Sequence, residues 1–97
     1  MNNKYEGMFI VKSDLSEDEK KALFAQIGEV ITKNGGTVTQ ASVWGERKKL
    51  SFPIKKQQEG TYYLVNFTTP TSAIAKMREI YKINESVLRV LFTLIEK

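Results

Sequence analysis

Basic side chains concentrate in one segment, Trp44 to Lys56, which reads WGERKKLSFPIKK. The segment contains five lysine or arginine residues and one acidic residue, whereas the other eighty-four residues contain ten basic and ten acidic residues. The net charge of +4 therefore comes entirely from this segment. Clustered lysine and arginine side chains bind phosphate groups by releasing counterions, so the segment is a candidate nucleic-acid interface.

Two other interpretations of this segment stay open. Lysines on an exposed edge strand discourage aggregation between sheet edges, and this role requires no ligand. Trp44 together with Arg47 at a strand edge also suits a protein partner, which could add a strand to the sheet. Trp44 could equally fill a space in the core.

The sequence offers little material for catalysis. It has no histidine or cysteine for proton transfer or nucleophilic attack, and it has no glycine-rich phosphate loop. An acylphosphatase-like site would place an arginine just after the first strand, but that position reads KSDLS. We therefore expect no enzyme activity and no cofactor, and any metal would have to be held by carboxylates.

Periodicity and turn residues predict the elements that position the basic segment. Ser16 and Glu19 form a capping box that begins the first helix, and Asn34 to Gly36 ends it. A second helix begins at Thr71 or Ser72 and ends by Asn84 to Ser86. β-Forming or alternating runs predict strands over residues 5–11, 37–43 continuing in 49–54, 61–67 and 88–95, with a polar turn over 55–60. The alternation predicts a common face for Leu50, Phe52 and Ile54, and another for Leu88, Val90, Phe92 and Leu94.

The element order β-α-β-β-α-β predicts an α+β, ferredoxin-like fold. Right-handed crossovers give a four-stranded antiparallel sheet in the order 4-1-3-2, with both helices on one face and the other face uncovered. The second strand then lies at an edge, where Pro53 is tolerated because it cannot donate a ladder hydrogen bond. The length fits a single domain over residues 1–97, and without an apolar leader we expect a cytoplasmic location.

A stand-alone RNA-binding module of the RNP type is the main alternative function. Such modules stack single-stranded bases on aromatic side chains of the first and third strands, where this chain has Phe9, Tyr62 and Tyr63. However, Glu59 stands where a basic residue is expected, and Tyr62 where a small one is expected. Phe9, Tyr63 and Phe67 could all be ordinary core residues.

Several short motifs occur in a fixed order: YE at Tyr5, NGG before the second strand, WG followed by a basic run, LSFPIKK, and VLRV in the last strand. Together they resemble the bacterial small-subunit ribosomal protein six family, from Lys4 to about Ile95. The resemblance implies the same fold and no catalysis. It also implies a ribosome-bound protein that binds the central domain of small-subunit ribosomal RNA as a heterodimer with ribosomal protein eighteen.

The resemblance also assigns candidate site residues. It implies RNA phosphate contacts for a set of five basic residues: Lys4, Arg47, Lys48, Lys49 and Arg89. The ring of Tyr5 is expected mainly to pack. The edge of the second strand and the open face of the sheet are expected to hold the partner through four residues: Trp44, Phe52, Lys55 and Lys56.

The chain departs from the family pattern in two places. Between Gly45 and Leu50 it has one residue more than the usual spacing, which would reverse the facing of side chains unless a bulge absorbs it. We therefore predict a bulge between Trp44 and Lys49. The chain ends at Lys97 without the charged tail of many family members, so a partner contact made by such a tail is expected to be missing or shortened.

Overall fold

The computed structural model describes residues 2–96, so Met1 and Lys97, the ends of the predicted 1–97 domain, lie outside it. Six elements follow in chain order: β1 (Asn2–Lys12), α1 (Glu17–Lys33), β2 (Thr37–Ile54), β3 (Gln57–Pro70), α2 (Ala73–Lys82) and β4 (Val87–Glu96). The antiparallel sheet has the order β2-β3-β1-β4. This is the predicted ferredoxin-like topology, with β2 at an edge.

The two helices begin differently. At α1 the Glu19 amide donates to Ser16 Oγ at 3.2 Å, and the Ser16 amide donates to Glu19 Oε1 at 3.0 Å, which confirms the capping box. At α2 the N-cap is Ser72, but its side chain makes no capping hydrogen bond. The Thr71 hydroxyl instead accepts hydrogen bonds from Asn3 and Tyr5.

The main core lies between the helices and one face of the sheet. Its largest fully buried side chains are Tyr81, Phe9, Phe67, Ile27, Ile31 and Met77. The rings of Phe9 and Tyr81 meet edge to face at 4.7 Å, and the Tyr81 hydroxyl donates to the Ile27 carbonyl at 2.6 Å. We call this group the helix-covered core.

A second, smaller cluster lies on the opposite face, where the end of the β2–β3 hairpin packs against the sheet. It consists of Ile10, Leu50 and Leu88, with Ile54 and Tyr62 packed against it. Leu88 reaches this face because the β1–β4 register shifts between Ile10 and Val11. The predicted common face for Leu88, Val90 and Phe92 is therefore wrong at its first residue.

The β2–β3 hairpin is more irregular than predicted. Leu50, Phe52 and Ile54 do not share one face: Leu50 is 7% exposed and Phe52 is 61% exposed, because the register shifts between Lys49 and Ile54. The predicted turn over 55–60 is also too long. Ile54 pairs with Gln57, so that only Lys55 and Lys56 form the turn.

Candidate nucleic-acid interface

The basic hairpin, residues 44–60, contains the bulge that the sequence predicts. The β2–β3 register shifts between Val43 and Gly45 and again between Gly45 and Lys48, and Arg47 has a φ of 50°. The extra residue is therefore absorbed by local distortion of the edge strand, and the ladder resumes where Lys48 pairs with Gly60. Arg47, Lys48 and Lys49 are all exposed.

The bulge gives these basic residues different directions. Gly60 also pairs with Lys12 of β1, and paired residues of adjacent strands point to the same face. Lys48 therefore faces the side that the helices leave open, whereas Lys49, opposite Glu59, faces the other side. Of Lys48 and Lys49, Lys48 is therefore the one that projects from the open face.

Two aromatic rings accompany Lys48. Trp44 is 60% exposed, and its ring lies 5.5 Å from that of Tyr62. Lys48 Nζ lies 5.9 Å from the centroid of the Trp44 ring, within the range of a cation–π contact. Trp44 is therefore not a core residue but part of an exposed surface that combines aromatic faces with positive charge.

Two lysines of α1 are paired with glutamates, whereas the basic run of the hairpin is not. Glu46, the acid that interrupts the basic run, accepts a hydrogen bond from Lys20 at 3.0 Å, and this contact raises the pKa of Lys20. Lys33 is paired with Glu29 at 2.7 Å. Among the described residues, Arg47, Lys48 and Lys49 have no such carboxylate partner. The basic hairpin therefore presents positive charge that the fold itself leaves unneutralised.

Arg89 and Lys4 lie at different ends of the sheet. Arg89 is exposed on β4 and pairs with Ile10, close to the basic hairpin. Lys4 pairs with Thr68, eight residues along β1 from Lys12, a separation of roughly 26 Å at about 3.3 Å per residue. The five candidate RNA-binding residues therefore form one group of four near the hairpin and one distant residue.

The four candidate partner residues are also separated. Trp44 and Phe52 are exposed on the edge strand, whereas Lys55 and Lys56 form the hairpin turn with φ values of 49° and 67°. Lys55 Nζ donates to the Val87 carbonyl at 3.0 Å and to the Asn84 carbonyl at 3.5 Å. Lys55 thus ties the turn to the start of β4.

Three basic residues at this end of the molecule escaped the sequence reasoning. Lys12, Arg78 and Lys82 line clefts that Lys55 and Arg89 also line. Charge counted over the chain outside residues 44–56 is balanced, and that balance hides a local excess. The spacing of Arg78 and Lys82, one helical turn apart, is the signal that could have indicated it.

Metal-binding clusters and membrane-spanning helices are both absent from the described part of the chain. Among residues 2–96, no group of histidine, cysteine, aspartate or glutamate side chains is arranged to hold a metal ion. Neither α1 nor α2, the helices of that range, has the length and apolar character required to cross a membrane.

The family model and the known proteins similar to this chain point to one family. A family model described as "Ribosomal protein S6" matches residues 4–93. The "Small ribosomal subunit protein bS6" of Thermoanaerobacter pseudethanolicus is 41% identical over 87 residues, covering 90% of each chain. The protein with the same name in Lactobacillus acidophilus is 37% identical over 95 residues, covering 97% of this chain and 96% of the relative.

A solved structure supports the fold independently. The crystal structure of 30S ribosomal protein S6 from Thermotoga maritima superimposes with a TM-score of 0.87, covering 98% of this chain and 89% of that one. The two sequences are 22% identical, so this similarity concerns the fold.

Proposed function

We propose a function for this chain that goes beyond its family, since it belongs to the ribosomal protein S6 family and is a structural, non-enzymatic ribosomal protein. The proposal is that it binds the central domain of small-subunit ribosomal RNA together with ribosomal protein eighteen. The observation that carries this proposal is the unneutralised positive charge of the basic hairpin. Lys48 stands on the open face of the sheet beside two aromatic rings, while Glu46 is occupied by Lys20.

The basic residues act by contacting phosphates. Arg47, Lys48, Lys49 and Arg89 lie at one end of the sheet and position the RNA backbone there, without reading base sequence. Lys4, at the other end, is a separate contact to the same RNA. So few phosphate contacts give weak binding with a strong dependence on salt, because the affinity comes largely from counterion release.

The partner supplies the remaining affinity. The β2 edge has unpaired backbone groups, and it carries Trp44 and Phe52 as large exposed side chains. Lys55 and Lys56 place two cations at the tip of the same hairpin. Ribosomal protein eighteen would pack along the β2 edge, leave the β4 side of the hairpin tip to the RNA, and bring its own RNA contacts to the complex.

A gel-shift titration of central-domain RNA tests this proposal. The RNA is titrated with this protein, with ribosomal protein eighteen, and with both, at several salt concentrations. We expect stable complexes only in the mixture, with affinity that falls as salt rises. Tight, salt-independent binding by the isolated protein would contradict the mechanism.

Replacing Lys48 and Lys49 together by glutamine tests the role of the basic hairpin. We expect weaker RNA binding by the mixture, because two phosphates are no longer neutralised. The double variant Lys21→Gln and Lys76→Gln, which removes two exposed charges from the helices, is the matched control and should bind as the wild type. If the double variant also binds as the wild type, the lysines only keep the strand edge soluble.

A stand-alone single-strand RNA module is a second candidate function, supported by the exposed ring of Trp44 beside the partly buried ring of Tyr62. Tyr63 is unsuitable for base stacking, because its ring already stacks on that of Phe24 in α1, with 3.9 Å between the ring centroids. Tyr62→Ala should abolish binding to a single-stranded oligonucleotide if this function is correct. It should hardly change central-domain binding under the leading proposal.

A further inference from the structure

Two adjoining clefts lie where α2 ends and β4 begins. One is lined by Lys55, Arg78, Lys82 and Arg89, and the other by Lys12, Lys55, Lys82 and Glu85. Because Lys55 and Lys82 line both, the clefts form one continuous surface, which we call the α2–β4 basic cleft. It combines five cationic side chains with a single carboxylate.

These cations differ from Lys20 and Lys33 of α1 in their surroundings. Lys20 and Lys33 are each held by glutamates of the helices or the hairpin. Within residues 2–96, no carboxylate lies at ion-pair distance from any of the five cleft cations, Glu85 included. Like charges placed together without counter-charges repel one another, so this arrangement favours binding of an anion.

The chain holds two of these cations in fixed positions. Lys55 donates to the Val87 and Asn84 carbonyls, and its ammonium group has a third N–H that remains available. The Arg78 guanidinium lies 5.7 Å from the centroid of the Phe92 ring. Both side chains are therefore oriented before any ligand arrives, which reduces the entropy lost on binding.

The turn that carries Lys55 is built at a backbone cost. Lys55 and Lys56 both adopt the left-handed region, with φ values of 49° and 67°. A two-residue hairpin turn of this kind favours asparagine followed by glycine, which adopt positive φ with less strain. Strained residues that persist in a fold tend to mark functional positions, and here they carry two positive charges.

The cleft continues the basic hairpin. Lys48 and Lys12 face the same side of the sheet on either side of Gly60, two strand spacings or roughly 10 Å apart. The hairpin then bends so that Lys55 reaches the start of β4. A row of cations therefore runs from Lys48 through Lys12 and Lys55 to Lys82.

We propose that the α2–β4 basic cleft is a second phosphate-binding surface, and that the RNA backbone continues from Lys48 across Lys12 into it. This inference rests on the proposed function, because the ligand is the same ribosomal RNA. The contacts are with phosphates and not with bases, since Tyr81, the aromatic residue of the lining, is buried.

The double variant Lys12→Gln and Lys82→Gln tests the cleft in the complex with ribosomal protein eighteen and central-domain RNA. Lys55 is left unchanged because it also ties the turn to β4, so that replacing it would alter the structure as well as the charge. We expect weaker binding and a salt dependence whose slope, log K against log salt concentration, falls by about 2, one for each phosphate that is no longer neutralised. The control variant Lys21→Gln and Lys76→Gln removes two exposed charges outside the cleft and should behave as the wild type.

The outcomes separate the cleft from the proposed function. If the cleft variant binds with the wild-type slope while Lys48→Gln and Lys49→Gln weaken binding, the cleft inference is wrong and the proposed function stands. If the wild-type mixture does not bind the RNA, both fail. A charge-preserving variant, Lys12→Arg and Lys82→Arg, should bind as the wild type. If it is as weak as the glutamine variant, the weakening comes from structure and the inference is overturned.

Discussion

The helix-covered core and the basic hairpin differ in the regularity of their backbone. Beneath the helices, β1 and β3 pair without a register shift from Asn2 opposite Pro70 to Lys12 opposite Gly60. Between β1 and β4 the register shifts twice, and between β2 and β3 it shifts four times, three of them between Val43 and Ile54. Within residues 2–96, the positive φ angles outside glycine all belong to the hairpin: Arg47, Lys55 and Lys56.

The difference between the two regions also extends to charge. In α1, Lys20 and Lys33 are paired with carboxylates, whereas the cations of the hairpin and the α2–β4 basic cleft have no such pairing among the described residues. Backbone strain and unpaired charge both lower the free energy of unfolding. The packing of the regular region must therefore offset this loss. Stability and binding are thus assigned to different parts of one small fold.

The largest effect that would test this division is a truncation in the helix-covered core. Phe9 is fully buried between Tyr81 and Phe92, and we expect Phe9→Ala to lower the free energy of unfolding by about 3–5 kcal/mol. Urea denaturation measures this. Phe52→Ala, on the exposed edge strand, is the control and should change stability by less than about 0.5 kcal/mol. If Phe9→Ala and Phe52→Ala lowered the free energy of unfolding equally, the two regions would not differ in their contribution to stability.

An intermediate effect is expected at the cluster beneath the hairpin. Leu50 is buried against Ile10 and Leu88, but this cluster is small, so Leu50→Ala should cost about 2 kcal/mol, the low end for leucine. Hydrogen exchange should then show faster opening of the hairpin amides, with β1 less affected. If protection falls equally throughout the sheet, the hairpin is not a separate unit of stability.

Sequence reasoning predicts well those features of both regions that a local or topological rule determines. The capping box at Ser16, the strand order and the edge position of Pro53 each follow from local rules, and the structure confirms them. The bulge after Trp44 was predictable because one extra residue had to be absorbed.

Sequence reasoning fails where tertiary contacts override periodicity. The alternation of Leu50, Phe52 and Ile54 predicts a common face, but the register shift after Lys49 breaks it. The α2–β4 basic cleft was missed because it joins residues of β1, α2, β4 and the turn between β2 and β3. Lys12 and Lys82 are seventy residues apart in the chain, and only the fold brings them together.

A smaller effect separates the starts of the two helices. Ser16→Ala removes the side-chain cap of α1 and should cost about 1 kcal/mol at pH 7, as measured by urea denaturation. Ser72→Ala is the matched control, because Ser72 makes no capping hydrogen bond, and its cost should be markedly smaller. Equal costs would mean that the capping geometry at Ser16 contributes nothing specific.

The capping box also predicts a dependence on pH. Hydrogen bonds from the Ser16 backbone and side chain lower the pKa of Glu19 below its ordinary value of 4.5. A carboxylate with a lowered folded-state pKa stabilises the fold above its unfolded pKa, and that contribution is lost as the pH falls through the folded-state pKa. The cost of Ser16→Ala should therefore be smaller at pH 2 than at pH 7. An unchanged cost would contradict the coupling to Glu19.

The smallest effect, and the only one expected to be stabilising, is in the hairpin turn. Lys56 has a φ of 67°, a region that costs non-glycine residues roughly 1–2 kcal/mol, whereas glycine enters it freely but loses more backbone entropy on folding. Lys56→Gly should therefore raise the free energy of unfolding by about 0.5 kcal/mol in urea denaturation. Gln58→Gly, without a positive φ to relieve, should lower it. If both substitutions destabilise the protein, the turn is not strained.

If Lys56→Gly stabilises the protein while weakening its association with ribosomal protein eighteen, the lysine is retained for binding at the expense of stability.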